Sequence, residues 1–485
     1  MFKWPVIWDI FVSKEKDIVM LSDEEKALRR EARDKKELAR LEKEKLRPKR
    51  KTYFWYLIVA LCLIYIVDEV ATSLPNAMVV EINQEFFVQG LGLSVSDGRS
   101  KLSLMEMLAN ICLVIGFFYK TLADRFGRKP FLIANTLGMV GSLLLMFWSQ
   151  GLWMYILGFF LLRFFVTPDE QIVYIFETAP EKSRGSIYSA VKGIAELGLL
   201  LIPLGRKVLM KDVATEWRMV FLIPAALGLI VSLAVCFLAR ETDPFLDSRI
   251  AYLKLSPEER EKIAKDKKDA SKKQGGFFSA VKYAMKGKQL RWIFICTLLF
   301  TLARCVTGYY ANILDAASYS TDQISNAELI FPVTCAVVVF AYGFLSDKVG
   351  RKITSIALLS LTIVGLTLLY VGSINGWNEW VLGAFIGIYL GAAWSNGDTL
   401  ILMTGESAPT NLRASIMSAQ TMFYGLGMVV SMGIGTLAVK YLPYAYIGLF
   451  CVILTIPCYL SSIIFLMTKV KETKGASIDN VVRQD

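Results

Sequence analysis

The chain's 485 residues are 54% hydrophobic and only 20% charged, and the charges gather in tails and short turns. The remaining apolar runs approach the roughly 20 residues that a helix needs to cross hydrocarbon, which excludes a soluble globular enzyme and, because barrel strands are short and alternating, a β-barrel. The formal net charge of +11 sits where membrane topology and anionic headgroups account for it, so it does not argue for nucleic acid, and the absence of any histidine excludes histidine metal ligands and proton relays.

Residues 1–52 form a cytoplasmic tail, too polar and basic for a signal peptide. Its apolar patch (Trp4, Ile7, Trp8, Ile10, Phe11) fits an interfacial helix or a cytosolic tail equally, and Ser22 with Glu25 forms a capping box that starts a solvated helix. Apolar runs follow at about 53–80, 102–119, 130–149, 152–176, 186–209 and 217–239. A polar cytoplasmic loop covers 240–289, and six more runs lie at about 290–314, 329–345, 353–373, 380–404, 414–439 and 443–469, before a tail at 470–485. The fold class is therefore an all-α membrane protein with twelve transmembrane helices in two six-helix bundles, 53–239 and 290–469. The eight cysteines fall almost entirely in these runs as small hydrophobes, with no zinc or disulfide spacing.

Basic residues select the orientation. The turns with Lys120 to Lys129, Lys182 to Arg184, Lys348 to Lys352 and Arg413 share one side with both termini and the central loop, and that side is cytoplasmic by the positive-inside rule. The opposite loops are poorer in bases, apart from Arg206, Lys207 and Lys211.

The halves repeat. Leu122-Ala-Asp-Arg-Phe-Gly-Arg-Lys-Pro130 is echoed by Leu345-Ser-Asp-Lys-Val-Gly-Arg-Lys352, and the glycine of each lets a short turn reverse through φ > 0. Glu177 to Ser186 matches Glu406 to Ser415, Leu21 to Glu25 matches Leu255 to Glu259, and Arg240-Glu-Thr242 matches Lys471-Glu-Thr473. Parallel repeats of this kind imply a transporter whose site lies between the halves.

Charges inside spans are costly and so mark function. Span 1 carries Asp68 and Glu69, span 4 Asp169, span 7 Arg304 and span 10 Asp398. Asp169 and Asp398 each precede the repeated glutamate by eight residues, roughly 12 Å at 1.5 Å per residue. The repeat sets Asp68 opposite Arg304 at one depth, which predicts a pair between them, with Asp68 as a proton site. Tyr309, Tyr310 and Trp394 are candidates to stack on a solute, and Asn312, Asn396 and Gln420 to hydrogen-bond it. The alternative is structural bridging, as between Asp169 and Lys192; Glu170 and Arg163 fit either role, and Glu106 and Glu196 read as structural.

The two turns resemble the motif Gly-x-x-x-Asp-Arg/Lys-x-Gly-Arg-Lys of the major facilitator superfamily. The copy from Gly343 to Lys352 fits throughout, whereas Lys120 replaces the first glycine of the other. Glu177-x-x-Pro180-x-x-x-Arg184-Gly185, Glu216-Trp-Arg-Met-Val-Phe221 and the Glu-Thr pairs after spans 6 and 12 resemble the sugar-porter branch. That resemblance implies a cavity lined by spans 1, 4, 7 and 10. It also implies a cytoplasmic ion-pair gate made of Asp124, Arg125, Arg128, Glu177, Arg184, Asp347, Arg351, Glu406 and Arg413. Two departures concern the solute: Leu302-Ala-Arg304 stands where the branch has a sugar-binding glutamine pair, and Arg163 lies fourteen residues before Glu177 where an arginine about twenty before is the pattern.

The expected function is a monomeric secondary transporter of the plasma (inner) membrane, moving a small polar solute of sugar or organic-acid type by alternating access in symport with protons. No phosphate-binding loop and no cofactor motif occurs. An organic-cation or drug antiporter is the alternative, disfavoured for drugs by the absence of their glycine-proline motif in span 5; a transporter-like solute sensor is the competing class. A cysteine replacing Lys272 is expected to react only with reagents supplied from the cytoplasm; labelling of intact cells from outside would overturn the topology.

Overall fold

The computed structural model describes residues 23–47, 52–109, 111, 112, 115, 119, 127–166, 170–179, 184–210, 216–256, 258–260, 262, 276–408 and 413–473. In chain order its first helices are α1 (Asp23–Leu46), α2 (Tyr53–Ala77), α3 (Val95–Ala109), α4 (Arg128–Phe147), α5 (Leu152–Val166), α6 (Glu170–Thr178), α7 (Arg184–Leu197), α8 (Leu201–Leu209) and α9 (Leu222–Leu238). Then come α10 (Asp243–Lys254), α11 (Gly276–Lys286), α12 (Lys288–Leu302), α13 (Tyr310–Ala316), α14 (Thr321–Val349), α15 (Arg351–Ile374), α16 (Glu379–Ser407), α17 (Arg413–Tyr441) and α18 (Ile447–Lys469). Among the described residues, eight helices are long and apolar enough to cross a membrane, and α5 is a shorter apolar one. With α5–α6, α7–α8 and α12–α13 each taken as one interrupted crossing, and α3 and α16 added, these make the twelve that the apolar runs predict.

Two units emerge. The smaller draws on the tail and on Arg240–Asp269, stretches that the sequence reading keeps apart. Each contributes a narrow apolar stripe to a polar helix: Leu38 and Leu41 of α1 meet Leu246, Ile250 and Leu253 of α10. The helices are antiparallel, since Lys45 pairs with Asp247 at one end and Arg260 with Asp34 at the other, with Glu37–Arg249 between them. The tail helix is therefore solvated on one face only.

The larger unit holds the two bundles, each turning at one end through the repeated motif. Gly127 and Gly350 adopt φ 107° and 112°, in a backbone region open essentially to glycine alone, and each caps the helix that follows. We call this the basic end of the bundle and the other the far end. Polar caps set several helix starts earlier than hydropathy does. Ser320 and Gln323 form a reciprocal capping box that begins α14 at Thr321, and the Ser94 hydroxyl accepts from Asp97 N (3.1 Å) at the start of α3.

Small residues let the halves approach. The α7 helix packs on α14, and α3 on α17, two contacts that the repeat exchanges. At the first, a Cβ on Gly193 would strike the Phe340 ring, and one on Gly343 would strike Ser189. Within the second half, Gly383, Gly387 and Gly391 of α16 form a ladder of period four that lies directly on the backbone of α14 at Ala327, Phe331 and Cys335.

The apolar core is divided unevenly. At the far end one cluster runs through both halves, from Leu74, Phe86 and Tyr155 to Tyr310, Phe331 and Tyr389. Towards the basic end it gives way to separate clusters that each stay within one half: one around Leu61, Tyr65 and Val191 in the first, and others around Phe300, Met403 and Tyr459 and around Leu290, Phe294 and Ile416 in the second. The halves are thus fused at the far end.

Replacing Gly350 by alanine is expected to destabilise the protein by about 1–3 kcal/mol, because φ 112° is strained for any side chain. Gly376, at φ +67° with open space around its Cα, is expected to accept asparagine with little loss. Thermal unfolding of the two purified variants checks the contrast.

Candidate functional site

The charges at mid-depth come together from both halves. Lys192 of α7, whose bridge to Asp169 was the structural alternative, reaches across to Asp398 of α16, with Nζ donating to Oδ2 at 2.5 Å. Asp169 itself lies outside the described residues. Glu196, one turn beyond Lys192, is fully buried; one carboxylate oxygen accepts a long contact from Cys335 Sγ (3.8 Å), and the other has no hydrogen-bond partner. Glu69 of α2 lies within electrostatic reach of both Lys192 and Glu196, and Tyr188 and Tyr342 flank Asp398.

Arg304 completes the cluster from the seventh crossing. That crossing breaks into a 3-10 turn at Arg304–Gly308, held open because the Cys305 amide donates to Ser431 Oγ (2.8 Å) instead of continuing the helix ladder. The guanidinium lies over Phe300, donates from Nε to Tyr424 Oη (3.2 Å) and feels the charge of Asp398, while Nη1 has no partner. The predicted Asp68–Arg304 pair is not formed. Asp68 instead accepts from Gln171 of α6 at 2.6 Å, because equal depth along two helices does not place two side chains on facing sides.

The other expected solute contacts disperse. Asn396 is fully buried and accepts from Ser355 Oγ (2.6 Å), a bond within the second half. Tyr309 sits by Ser103 and Glu106, and Trp394 packs against the far-end core. Tyr310 stacks near Phe331 at 5.4 Å, and the Asn312 carbonyl accepts from Tyr444 Oη at 3.2 Å.

At the basic end the repeated motifs make repeated bonds. Arg128 donates to Glu177 (3.1 Å), and its counterpart Arg351 donates to Glu406 (3.2 Å) and to Asp347 (2.7 Å). Glu472 caps α15 by accepting from Arg351 N at 2.7 Å, and Thr473 Oγ1 donates to Glu406 at 2.7 Å, which gives the repeated Glu-Thr pair a physical role. Asp124 and Arg125 lie outside the described residues, as do the side chains of Arg184 and Arg413.

Sequence reasoning missed the far end. There Arg206 of α8 lies between Glu81, just after α2 (3.1 Å), and Glu328 of α14 (3.0 Å); the three side chains are 7%, 1% and 1% exposed. Arg99 of α3 reaches Asp315 of α13 at 2.7 Å and lies over the Tyr444 ring, and Lys207 donates to Asn326 at 2.8 Å. All three arginine and lysine contacts link one half to the other. The signal was present: Arg206 and Lys207 are bases on the side that the topology leaves poor in them.

Residues 75–484 match the family described as Sugar (and other) transporter. Among solved structures, a crystal structure of the D-xylose-proton symporter is 18% identical, covering 88% of this chain and 100% of that one, with a TM-score of 0.64. The inward-open conformation of the xylose transporter XylE from E. coli is 17% identical, covering 89% and 99%, with a TM-score of 0.67. XylE bound to 6-bromo-6-deoxy-D-glucose, titled as a major facilitator superfamily proton:xylose symporter, is 17% identical over 90% and 99%, with a TM-score of 0.62. This chain is similar to each of them in fold. No curated protein matches the sequence.

Because removing one member of a buried pair strands the other, Lys192→Met and Asp398→Asn are each expected to cost about 3 kcal/mol, and the double variant less than either. Denaturation of the three variants, treated as a double-mutant cycle, measures that coupling.

Proposed function

The chain belongs to the Sugar (and other) transporter family, and from that membership we propose that it carries a small polar solute of sugar or organic-acid type by alternating access, in symport with protons. It is a multi-pass membrane transporter of the major facilitator fold, not an enzyme. We place it in the plasma (inner) membrane as a monomer, with the basic end, both termini and the central loop in the cytoplasm; the basic turns support that orientation. The far end is then the outer face, and the structure is the state closed to the outside.

The observation that carries the reading is the charged cluster shared by the two halves: Lys192 against Asp398, with Glu69, Glu196 and Arg304 around them. Contacts that cross between halves at mid-depth are remade when the halves rock, so binding there and conformation are coupled. Arg304 Nη1, without a partner, is a donor for a hydroxyl or carboxylate oxygen of the solute.

Coupling follows from charge. Among the described residues Glu196 is the most buried acid of this cluster and keeps one oxygen unbonded, and a charge held in such a place is expensive, so Glu196 is the carboxylate on which a proton removes the largest cost. The structurally similar xylose-proton symporter supports proton coupling, and we propose Glu196 for it in place of the Asp68 expected first.

In proteoliposomes, screened with pentoses, hexoses and hydroxy acids, uptake against a gradient is expected when the outside is acid. Glu196→Gln is expected to lose that accumulation yet keep solute exchange at equal pH, whereas Asp68→Asn keeps both. Accumulation that survives in Glu196→Gln would overturn the assignment, and the absence of flux for every solute would overturn the transport reading.

A further inference from the structure

Among the described residues, the seal at the far end sets two carboxylates against one guanidinium. Arg206 forms an ion pair through Nη2 with Glu81 and donates from Nη1 to Glu328, with further bonds from Nη1 to Ser325 Oγ and from Nη2 to the Ala77 carbonyl. Two carboxylates therefore face a single guanidinium, and all three side chains are more than nine-tenths buried. One oxygen of each carboxylate, Glu81 Oε2 and Glu328 Oε1, is buried with no hydrogen-bond partner. Among the described residues, the other titratable group facing Glu328 is the Tyr310 hydroxyl of α13, which is neutral. The neighbouring bases are engaged elsewhere, Lys207 with Asn326 and Arg99 with Asp315, so neither offsets the excess.

We propose that this seal is itself a proton-binding site, and that the Glu328 carboxylate takes up one proton from the outer solution as the seal closes. The inference rests on the orientation and the alternating access proposed above. Arg206 and Glu81 both belong to the first half and stay together as a neutral pair when the halves part. Glu328 comes from the second half. When the outer side is open it stands in water as a carboxylate; when the side closes it joins a pair that is already neutral, inside an apolar core. Carrying a bare charge there is expensive, whereas a proton transferred from water to its oxygen removes the charge and turns that oxygen into a donor. The proton on Glu328 returns to the outer solution when the seal reopens, so this site sets the balance between the open and closed states and is separate from the proton carried inward at mid-depth. Linkage fixes the sign: the closed state binds one more proton than the open state, so outside acid favours closure by up to tenfold per pH unit.

The test is conformational. Spin labels at Ser96→Cys and Asn375→Cys, exposed positions on opposite halves at the far end, report their separation in the full-length protein lacking its other reactive cysteines. Between pH 5 and 9 the short-distance population is expected to grow as pH falls in the parent. In Glu328→Gln it is expected to stay high at every pH, since the amide needs no proton; Tyr310→Phe is expected to titrate like the parent. A parental separation that ignores pH, or a Glu328→Gln protein that titrates like the parent, would overturn the proposal, and the parent alone suffices if the variant fails to fold. Gradient-driven uptake, measured on the same preparation, keeps the two readings apart. Proton-driven transport with a pH-independent seal sinks this inference and leaves the symporter standing; the reverse result sinks the symporter and leaves the seal.

Discussion

A single guanidinium, Arg206, placed between carboxylates from opposite halves with almost no access to water, is the constraint from which the rest of this conformation follows. A charge in such a place is tolerable only with its partners in position, so the seal is either fully made or fully broken. The core responds accordingly. It is one cluster through both halves around the seal, and separate clusters, each within one half, towards the basic end. Between these regimes lies the Lys192–Asp398 pair, with the seal on one side of it and separable halves on the other.

Most of the architecture was legible because it depends on properties that a sequence writes locally. A glycine before paired bases means a tight turn, and Gly127 and Gly350 adopt nearly the same positive φ. A glutamate eight residues past a mid-span acid marks the end of a crossing, and Glu177 and Glu406 both meet the arginine that opens the neighbouring helix. The site was legible only in depth. Internal repeats place Asp68 level with Arg304, but each residue turns a helix by about 100°, and it is azimuth that decides contact. Hence Asp68 faces Gln171, Arg304 faces Tyr424, and Asn396 turns into its own half towards Ser355.

Contacts between segments far apart in sequence were illegible for a related reason. The tail helix and the central-loop helix each look like solvated charged segments, because each supplies only half of a narrow apolar seam. Glu196 reads as structural from its position on α7, and only the arrival of Asp398 from the other half makes it part of a charged cluster shared by both halves. Arg206 and Lys207 could have been singled out, as bases where topology disfavours bases.

The glycine ladder of α16 has a mechanical meaning. Since Gly383, Gly387 and Gly391 rest on the backbone of α14, the two helices touch there main chain to main chain, with little side chain between them to absorb a displacement. The two behave as one stiff strut. Glu328 stands near one end of it, and Asp398 stands nearer the other, about 20 Å further along at 1.5 Å per residue. A tilt of the strut that withdraws Glu328 from Arg206 must therefore also swing Asp398 against Lys192, so the outer latch and the central cluster are geared to a single rotation.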